Sequence, residues 1–334
     1  MKMSIVIANW NGEDLLKKCL PSVIAAAEHA KETYEIIVVD DVSTDGSTRL
    51  LKSKFPKIKL IELKDNRGFI KVNNIGAKAA KGDMLVFVSN DVVLKTDSLK
   101  RMLKHFKNPK VFGVAPKILK WDKKTIQTEF LGCDFVLGTV VQTQPGMNEI
   151  DTNRFKEPRM TFFAPTCASM IERKRLAKLG YLDEVYSPFY WEEPDLSYRA
   201  YKRGWVVIYD PKAVVYHKHR ASLTKVFTQD ALQLQELKTR FIFTWSNFSD
   251  PAILLKHLAF LPLSFIRSAF KGRYRAKRFL DVIAFFQALW VWRKILDKRA
   301  DERMHAKLSD KEALAVINSN KANGLAPVKF TKFL

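Results

Sequence analysis

The 334-residue sequence predicts an α/β fold: a mostly parallel sheet flanked by helices, followed by a helical, basic and amphipathic C-terminal extension. Three observations carry this. Over the first 120 residues, unbroken Val/Ile/Leu runs alternate with stretches of helical spacing, the pattern of strands covered on both faces. Hydrophobic residues make up 47% of the chain without any low-complexity tract, which excludes a disordered class. From about residue 228 the pattern turns helical and cation-rich.

The elements follow in order. The run MSIVIAN (3–9) reads as the first strand, and GEDLLKKCLPSVIAAAEHA (12–30) as a helix with Leu15, Leu16, Cys19, Leu20 and Val23 on one side. YEIIVVDD (34–41) and KIKLIEL (57–63) read as the second and third strands. GFIKVNNIGAKAAKG (68–82) reads as a helix ending at Gly82, and DMLVFVSND (83–91) as the fourth strand. TDSLKRMLKHF (96–106) is predicted as a helix capped by Thr96, and VFGVAPKIL (111–119) as the fifth strand. Residues 121–160 are more polar, with DFVLGTVVQTQ suited to a hairpin or flap. TFFAPTCASMI (161–171) reads as a strand before a short basic helix ending at Gly180, and WVVIYD (205–210) and AVVYHKH (213–219) as two short strands.

Bulk properties narrow the function. Fifty-seven Lys and Arg against 35 Asp and Glu give a formal net charge of +22, which calls for an anionic partner: phosphate groups, nucleic acid or an anionic membrane face. Cys19, Cys133 and Cys167 are scattered, with no CxxC and no metal spacing, as in a reducing compartment. The N-terminal apolar run is too short for a signal peptide, and no stretch of about 18 apolar residues suits a membrane span. No GxGxxG follows the first strand and no GxxxxGK[ST] occurs, which argues against a dinucleotide fold and a P-loop NTPase. No zinc-finger or RNA-recognition signature accompanies the basic charge, so a nucleic-acid binder is disfavoured.

In open parallel sheets ligands bind beyond the carboxyl ends of the strands. Here those ends are polar: Asn9-Trp10-Asn11, Asp40-Asp41 and Ser89-Asn90-Asp91. A carboxylate at such a place can accept from a nucleobase or ribose, or hold a hard cation against a pyrophosphate. DDVSTDGS is equally good turn sequence, so Asp40 and Asp41 also fit simple loop chemistry. His217, in VVYHKH, suits either a structural role or ligation. The stretch FYWEEPDLSYRAYKRGW (189–205) sets Glu192, Glu193 and Asp195 at the start of a helix over about 194–203. The helix dipole accounts for Asp195, with Arg199 and Arg203 as partners one and two turns on. Glu192 and Glu193 behind an aromatic run fit a walled pocket in which a carboxylate acts as general base on a hydroxyl.

Taken together, SIVIANWNGEDLLKKCLPSV, EIIVVDDVSTDGST, NRGFIKVNNIGAKAAKGDMLVFVSNDVVL, GYLDEVYSPFYWEEPDLSYRAYKRGW and DPKAVVYHKHRAS resemble a family-2 glycosyltransferase of GT-A fold, in the family's order, over roughly residues 3–222. The spacing most resembles the rhamnosyltransferase-like branch, which acts on lipid-linked or polysaccharide acceptors. The resemblance implies an inverting enzyme taking a nucleoside-diphosphate sugar, with Mg²⁺ or Mn²⁺, in cell-envelope polysaccharide synthesis. It implies donor contacts at Ala8, Trp10, Asp40, Asp41, Lys71, Asn74, Asn90 and Asp91. It sets Asp91 and His217 at the metal, Trp191 and Asp195 at the acceptor side or helix start, and Glu193, with Glu192 as rival, as the base. Two departures stand out: the family's DxD reads Ser89-Asn90-Asp91, which removes one negative charge, and its ED motif reads Glu192-Glu193.

The implied organisation is a catalytic domain over 1–225, with a nucleotide-binding half (1–120) and an acceptor half (121–225), then a membrane-associating region over 226–334. From Lys256 to Arg299 eleven Lys and Arg face two acids, Asp281 and Asp297, interleaved with LLKHLAFLPLSFI and VIAFFQALWVW. That pattern suits helices lying in the interface of an anionic membrane, hence a cytoplasmic protein peripheral on its inner face; ordinary packed helices with a basic face are the alternative. The long C-terminal helices also suit pairing between copies. Competing readings are a catalytically impaired membrane scaffold and a sugar nucleotidyltransferase, the latter lacking its Gly-rich loop in IANWNGED.

Overall fold

The computed structural model describes residues 1–136, 138–144, 146–218, 226–271 and 279–319. At the heart of the sheet lies β1 (Met3–Asn9), whose Ile5, Val6 and Ile7 are fully buried, as a strand covered on both faces must be. Helices α1 (Glu13–Ala30) and α2 (Ser47–Lys54) carry the chain outward to β2 (Tyr34–Asp40) and β3 (Lys59–Glu62), all parallel. Helix α3 (Phe69–Ala79) brings it back across β1 to β4 (Met84–Ser89), parallel on the other side. The direction of winding therefore reverses between β1 and β4, the place where such sheets open a ligand crevice. Register sets Asn9 beside Asp40 and Ala8 beside Ser89, so the three polar strand ends stand side by side.

Beyond β4 the sheet is mixed. β5 (Val92–Leu94), helix α4 (Ser98–Leu103), β6 (Val111–Lys120) and β7 (Ile126–Thr128) lead to a separate hairpin of β8 (Gly132–Val136) and β9 (Thr139–Thr143). The hairpin matches the flap expected there. β10 (Arg159–Met160) is short, and β11 (Ala168–Glu172) inserts antiparallel between β4 and β6. After α5 (Arg173–Lys178) and α6 (Glu192–Lys202), β12 (Val206–His217) lies parallel to β6. The order β10-β12-β6-β11-β4-β1-β2-β3, with flanking helices, is the α/β architecture expected from the sequence.

Several boundaries differ from expectation, each for a local reason. Thr96 is not a cap: α4 begins at Ser98, preceded by Asp97, whose carboxylate bonds Arg101. α3 stops at Ala79 because Ala80 is extended. Of the strand expected over 161–171 only 168–172 pairs; Pro165 lacks an N–H, and Thr161 spends its hydroxyl on the Leu131 N–H. The two short strands after Trp205 are one strand with a register break at Pro211, where Asp210 turns in to His105 and the Lys212 N–H. α6 starts at Glu192, two residues early, with Pro194 in the first turn, where no N–H is needed.

Of the C-terminal helices α7 (Gln229–Asn247), α8 (Pro251–Lys271), α9 (Leu280–Leu289), α10 (Trp292–His305) and α11 (Asp310–Asn318), α7, α10 and α11 pack onto α6 and its approach, and α9 packs on α7 and α8. Gln235 donates to the carbonyls of Tyr186, Ser187 and Phe189. Arg203 pairs with Glu302, and Asp310 receives Lys202, Tyr198 and the N–H groups of Ser249 and Asp250. Residues 219–225, 272–278 and 320–334 lie outside the described residues. They hold the end of DPKAVVYHKHRAS, much of the cation-dense RSAFKGRYRAKR and the C-terminal tail.

Candidate active site

One hydrogen-bond chain joins the three strand ends. Asp40 accepts from Asn9 Nδ2 at 2.8 Å and from the N–H and hydroxyl of Ser43, closing the turn after β2. Asn9 Oδ1 in turn accepts from Asn90 Nδ2 at 2.8 Å. Gly12 makes room for this pair: a Cβ there would stand 2.2 Å from Asn90 Nδ2 and 2.4 Å from Asn9 Oδ1. Asp41 points the other way and accepts the N–H groups of Arg67 and Gly68 at 2.7 and 2.9 Å, fixing the entry to α3. Both aspartates thus carry the turn chemistry that the sequence also allowed. Ala8 is half-buried at the end of β1, and Trp10 is exposed beside it, at the mouth of the crevice.

Asp91 occupies a second corner. Asn90-Asp91 form the tight turn from β4 to β5, and β5 pairs with β12 so that Val92 faces His217. His217 Nε2 lies 3.2 Å from Asp91 Oδ1, and the Gln127 amide lies 2.8 Å from Nδ1. Burial opposes the imidazolium, but the Cys167 sulfur and the Asp91 carboxylate outweigh it, and the pKa rises to about 10. Trp121 Nε1 donates to the Asp91 carbonyl, and Lys18 and Lys218 stand over the Trp121 ring at 5.0 and 5.3 Å. These cations flank the corner, and Lys18 and Trp121 were not singled out by sequence.

The Asp91 carboxylate suits a Mg²⁺ or Mn²⁺ ion, whereas His217, held here as the cationic partner of Asp91, would join such an ion only after losing its proton. Among the described residues no cluster of three or more His, Cys, Asp or Glu side chains is poised for a metal. The corner is therefore a partial site, consistent with the Ser at position 89.

Glu193 sits at the start of α6 and faces this corner. Its Oε1 accepts both the N–H of Thr166, at 2.7 Å, and the Thr166 hydroxyl, at 2.5 Å. Its pKa is raised, because burial outweighs the two Thr166 bonds and the charge on His217 that oppose it. Glu192 is different. It is buried, its Oε2 has no hydrogen-bond partner among the described residues, and burial followed by the Glu193 charge raises its pKa well above the usual range. Two adjacent carboxyls in one dry place titrate as a pair: the two Thr166 donors favour the charge on Glu193, and the unpartnered Glu192 favours the proton. Thr166 carried no sequence signal: a single Thr after Pro165 in FFAPTC reads as strand. The adjacent Cys167 carbonyl accepts the Ser89 N–H at 2.8 Å, so this one segment braces both corners.

The remaining expected site residues lie elsewhere. Asn74 is buried on α3 and exchanges two hydrogen bonds with the backbone of Leu182, so its amide is committed to the fold. Lys71 is half-exposed one turn away, 4.0 Å from Glu184. Trp191 is left-handed, with φ 70°, and packs its ring 4.9 Å from Phe243, so it belongs to the core beneath α7 rather than to a pocket wall. Asp195 is fully buried and receives Tyr186, Arg199, Asn247 and Lys298, so it anchors the C-terminal helices and does not face an acceptor. Arg199 is its partner as expected, whereas Arg203 turns to Glu302.

Comparison with known proteins bears on the family and the fold. A stretch of the poly(ribitol-phosphate) beta-glucosyltransferase of Bacillus spizizenii is 41% identical over 105 residues, 30% of this chain but only 16% of that protein. The uncharacterised glycosyltransferase YfnE of Bacillus subtilis is 24% identical over 304 residues, 78% of this chain and 74% of its own. The poly(ribitol-phosphate) beta-N-acetylglucosaminyltransferase TarS of Staphylococcus aureus is 31% identical over 103 residues, 18% of that protein. The rhamnosyltransferase branch expected from spacing is not among these relatives, two of which are named for poly(ribitol-phosphate). In fold, the chain resembles Staphylococcus aureus TarS residues 1–349 solved with UDP-GlcNAc (TM-score 0.57, 18% identity, 96% of this chain and 91% of that one). It also resembles a Pyrobaculum calidifontis mannosyltransferase solved with GDP-Man and Mn²⁺ (TM-score 0.53, 15% identity, 95% of this chain and 86% of that one). The signature described as Glycosyl transferase family 2 matches residues 4–177, a little over half of the sequence, and the chain belongs to that family of nucleotide-sugar glycosyltransferases.

Proposed function

We propose that the chain transfers a sugar, with inversion, from a UDP-sugar to a hydroxyl of an anionic glycopolymer such as a poly(polyol phosphate), in cell-envelope synthesis. The named relatives that act on poly(ribitol-phosphate) support the acceptor class, and a net charge of +22 suits a polyanionic acceptor. The observation that carries the reaction is Glu193: a carboxylate held by two donors from Thr166, beside the Asp91–His217 corner. Glu193 takes the acceptor hydroxyl proton while that oxygen attacks the anomeric carbon, and the nucleoside diphosphate leaves from the opposite face. Single displacement inverts the centre without a covalent intermediate. Lys18, Lys218 and the imidazolium of His217 meet the charge growing on the leaving group. Asp91 would hold a divalent ion, with His217 joining it only as the neutral imidazole, and that ion would supply Lewis-acid stabilisation to the leaving group.

We also read the chain as peripheral on the inner face of the cell membrane, where a lipid-linked acceptor is presented. No helix among the described residues is long and apolar enough to cross a membrane.

The test is nucleoside diphosphate release from UDP-, dTDP- and GDP-sugars, with poly(ribitol phosphate) as acceptor, in Mg²⁺, Mn²⁺ or EDTA. The expected result is acceptor-dependent release from a UDP-sugar that falls at least about tenfold in EDTA and in Asp91→Ala. Full release in EDTA would remove the metal from the reading, and no release from any donor would favour the scaffold.

A further inference from the structure

A surface helix normally turns its apolar stripe inward and its polar side to water. Helix α8 does the reverse as well. Its inner side is buried at His257, yet Leu255, Leu258, Leu263 and Ile266 line its outer side, the first two 69% and 60% exposed. Helix α9 continues the surface with Phe286, 63% exposed, and Trp290, 92% exposed. Isolated exposed apolar residues need no explanation, but two consecutive helices presenting them outward do.

We propose that the outer faces of α8 and α9 form a docking surface for an anionic lipid bilayer, with the helices lying in its plane. This deepens the peripheral placement above and rests on it. Charge selects the occupant. Helix α8 contains no acidic residue and α9 only Asp281, while Lys256, Arg293 and Lys294, against Asp297, are exposed on and beside these helices. Such a face complements phosphate headgroups. Stacking it on a second copy would instead bring two cationic faces of a chain of charge +22 together. Trp290, at the end of α9, suits the headgroup level, where an indole keeps its N–H wet and its ring in hydrocarbon.

The surface is rigidly joined to the catalytic part. Trp245 on α7 donates its indole N–H to His257 Nε2 at 2.9 Å, and His257 Nδ1 meets the Gly138 carbonyl at the tip of the β8–β9 hairpin at 2.5 Å. Lys298 on α10 reaches Asp195 in the first turn of α6, the helix that presents Glu193. A bilayer bound at α8 and α9 therefore fixes the orientation of the hairpin and of α6.

The experiment is vesicle co-sedimentation of the full chain without donor or acceptor, using phosphatidylglycerol/phosphatidylcholine against pure phosphatidylcholine, at low and high salt. The expected result is binding to anionic vesicles, weakened by salt. Leu258→Gln/Phe286→Ser/Trp290→Ser is expected to weaken it at least about tenfold, with sugar transfer to a soluble acceptor retained. Quenching of indole fluorescence by brominated lipid, lost in Trp290→Phe, is a second readout that needs no destabilising change. Equal binding to neutral vesicles, unchanged binding by the triple variant, or a dimer abolished by that variant would each overturn the proposal. Loss of transfer with intact vesicle binding would overturn the enzymatic reading instead.

Discussion

The N–H and the hydroxyl of Thr166 converge on the same oxygen of Glu193, at 2.7 and 2.5 Å. Two donors on one oxygen lock the carboxylate's rotation. They also leave Oε2 as the oxygen available to an acceptor hydroxyl. Thr166 is a positioning residue in this account, acting through Glu193.

Thr166→Val keeps the buried shape and the backbone bond but removes the hydroxyl donor. A hydrogen bond to a charged group contributes about 1.5 kcal/mol or more, so kcat is expected to fall about tenfold with donor KM unchanged, and Thr166→Ser to restore it. The two Thr166 bonds lower the Glu193 pKa against the effect of burial. Losing one moves the acidic limb of the kcat–pH profile upward. A fall in kcat with an unmoved limb, tracking a lowered melting temperature, would show a merely structural role.

Asp195 makes acid sensitivity predictable. Burial alone would raise its pKa, but Lys298 and Arg199 bring it down to about 2. The folded pKa lies below the unfolded value of about 3.9, so the stabilisation is complete above pH ~4 and is lost as pH falls towards 2. The contribution is on the order of 2–3 kcal/mol. Asp195→Asn leaves the buried Arg199 without its carboxylate and Lys298 with Asp183 alone, at a cost of about 3–5 kcal/mol at pH 7. Urea unfolding monitored between pH 7 and pH 2 should show the native chain losing stability below pH 4 more steeply than the variant. Parallel curves would contradict this.

Much of this is legible in the sequence because of how parallel strands end. Asn9, Asp40 and Asp91 each follow a buried apolar run, and a parallel sheet brings such ends together on one edge. The reversal between β1 and β4 then makes that edge a crevice. Thr166 and the antiparallel β11 are not legible. Their position depends on a long excursion through 121–160, whose return path is set by tertiary packing and not by local periodicity. Asp195 misleads for a related reason. A carboxylate in the first turn of a helix satisfies the local dipole rule, and nothing nearby in sequence announces Asn247 or Lys298. Helix α8 shows the same limit from another side: its composition marks it as amphipathic, but only packing shows that an apolar side faces outward.

The central claim is that Glu193, and not its neighbour, takes the acceptor's proton. The most direct measurement compares acceptor-dependent UDP release by the native chain, Glu193→Gln and Glu192→Gln at pH 7. Glu192 is already protonated in this account, so its amide is nearly isosteric and release should stay within about tenfold of native. Glu193→Gln removes the base and should lower kcat by about 10²–10⁴. The opposite order, with Glu192→Gln inactive and Glu193→Gln active, would contradict the assignment and move the base one residue back.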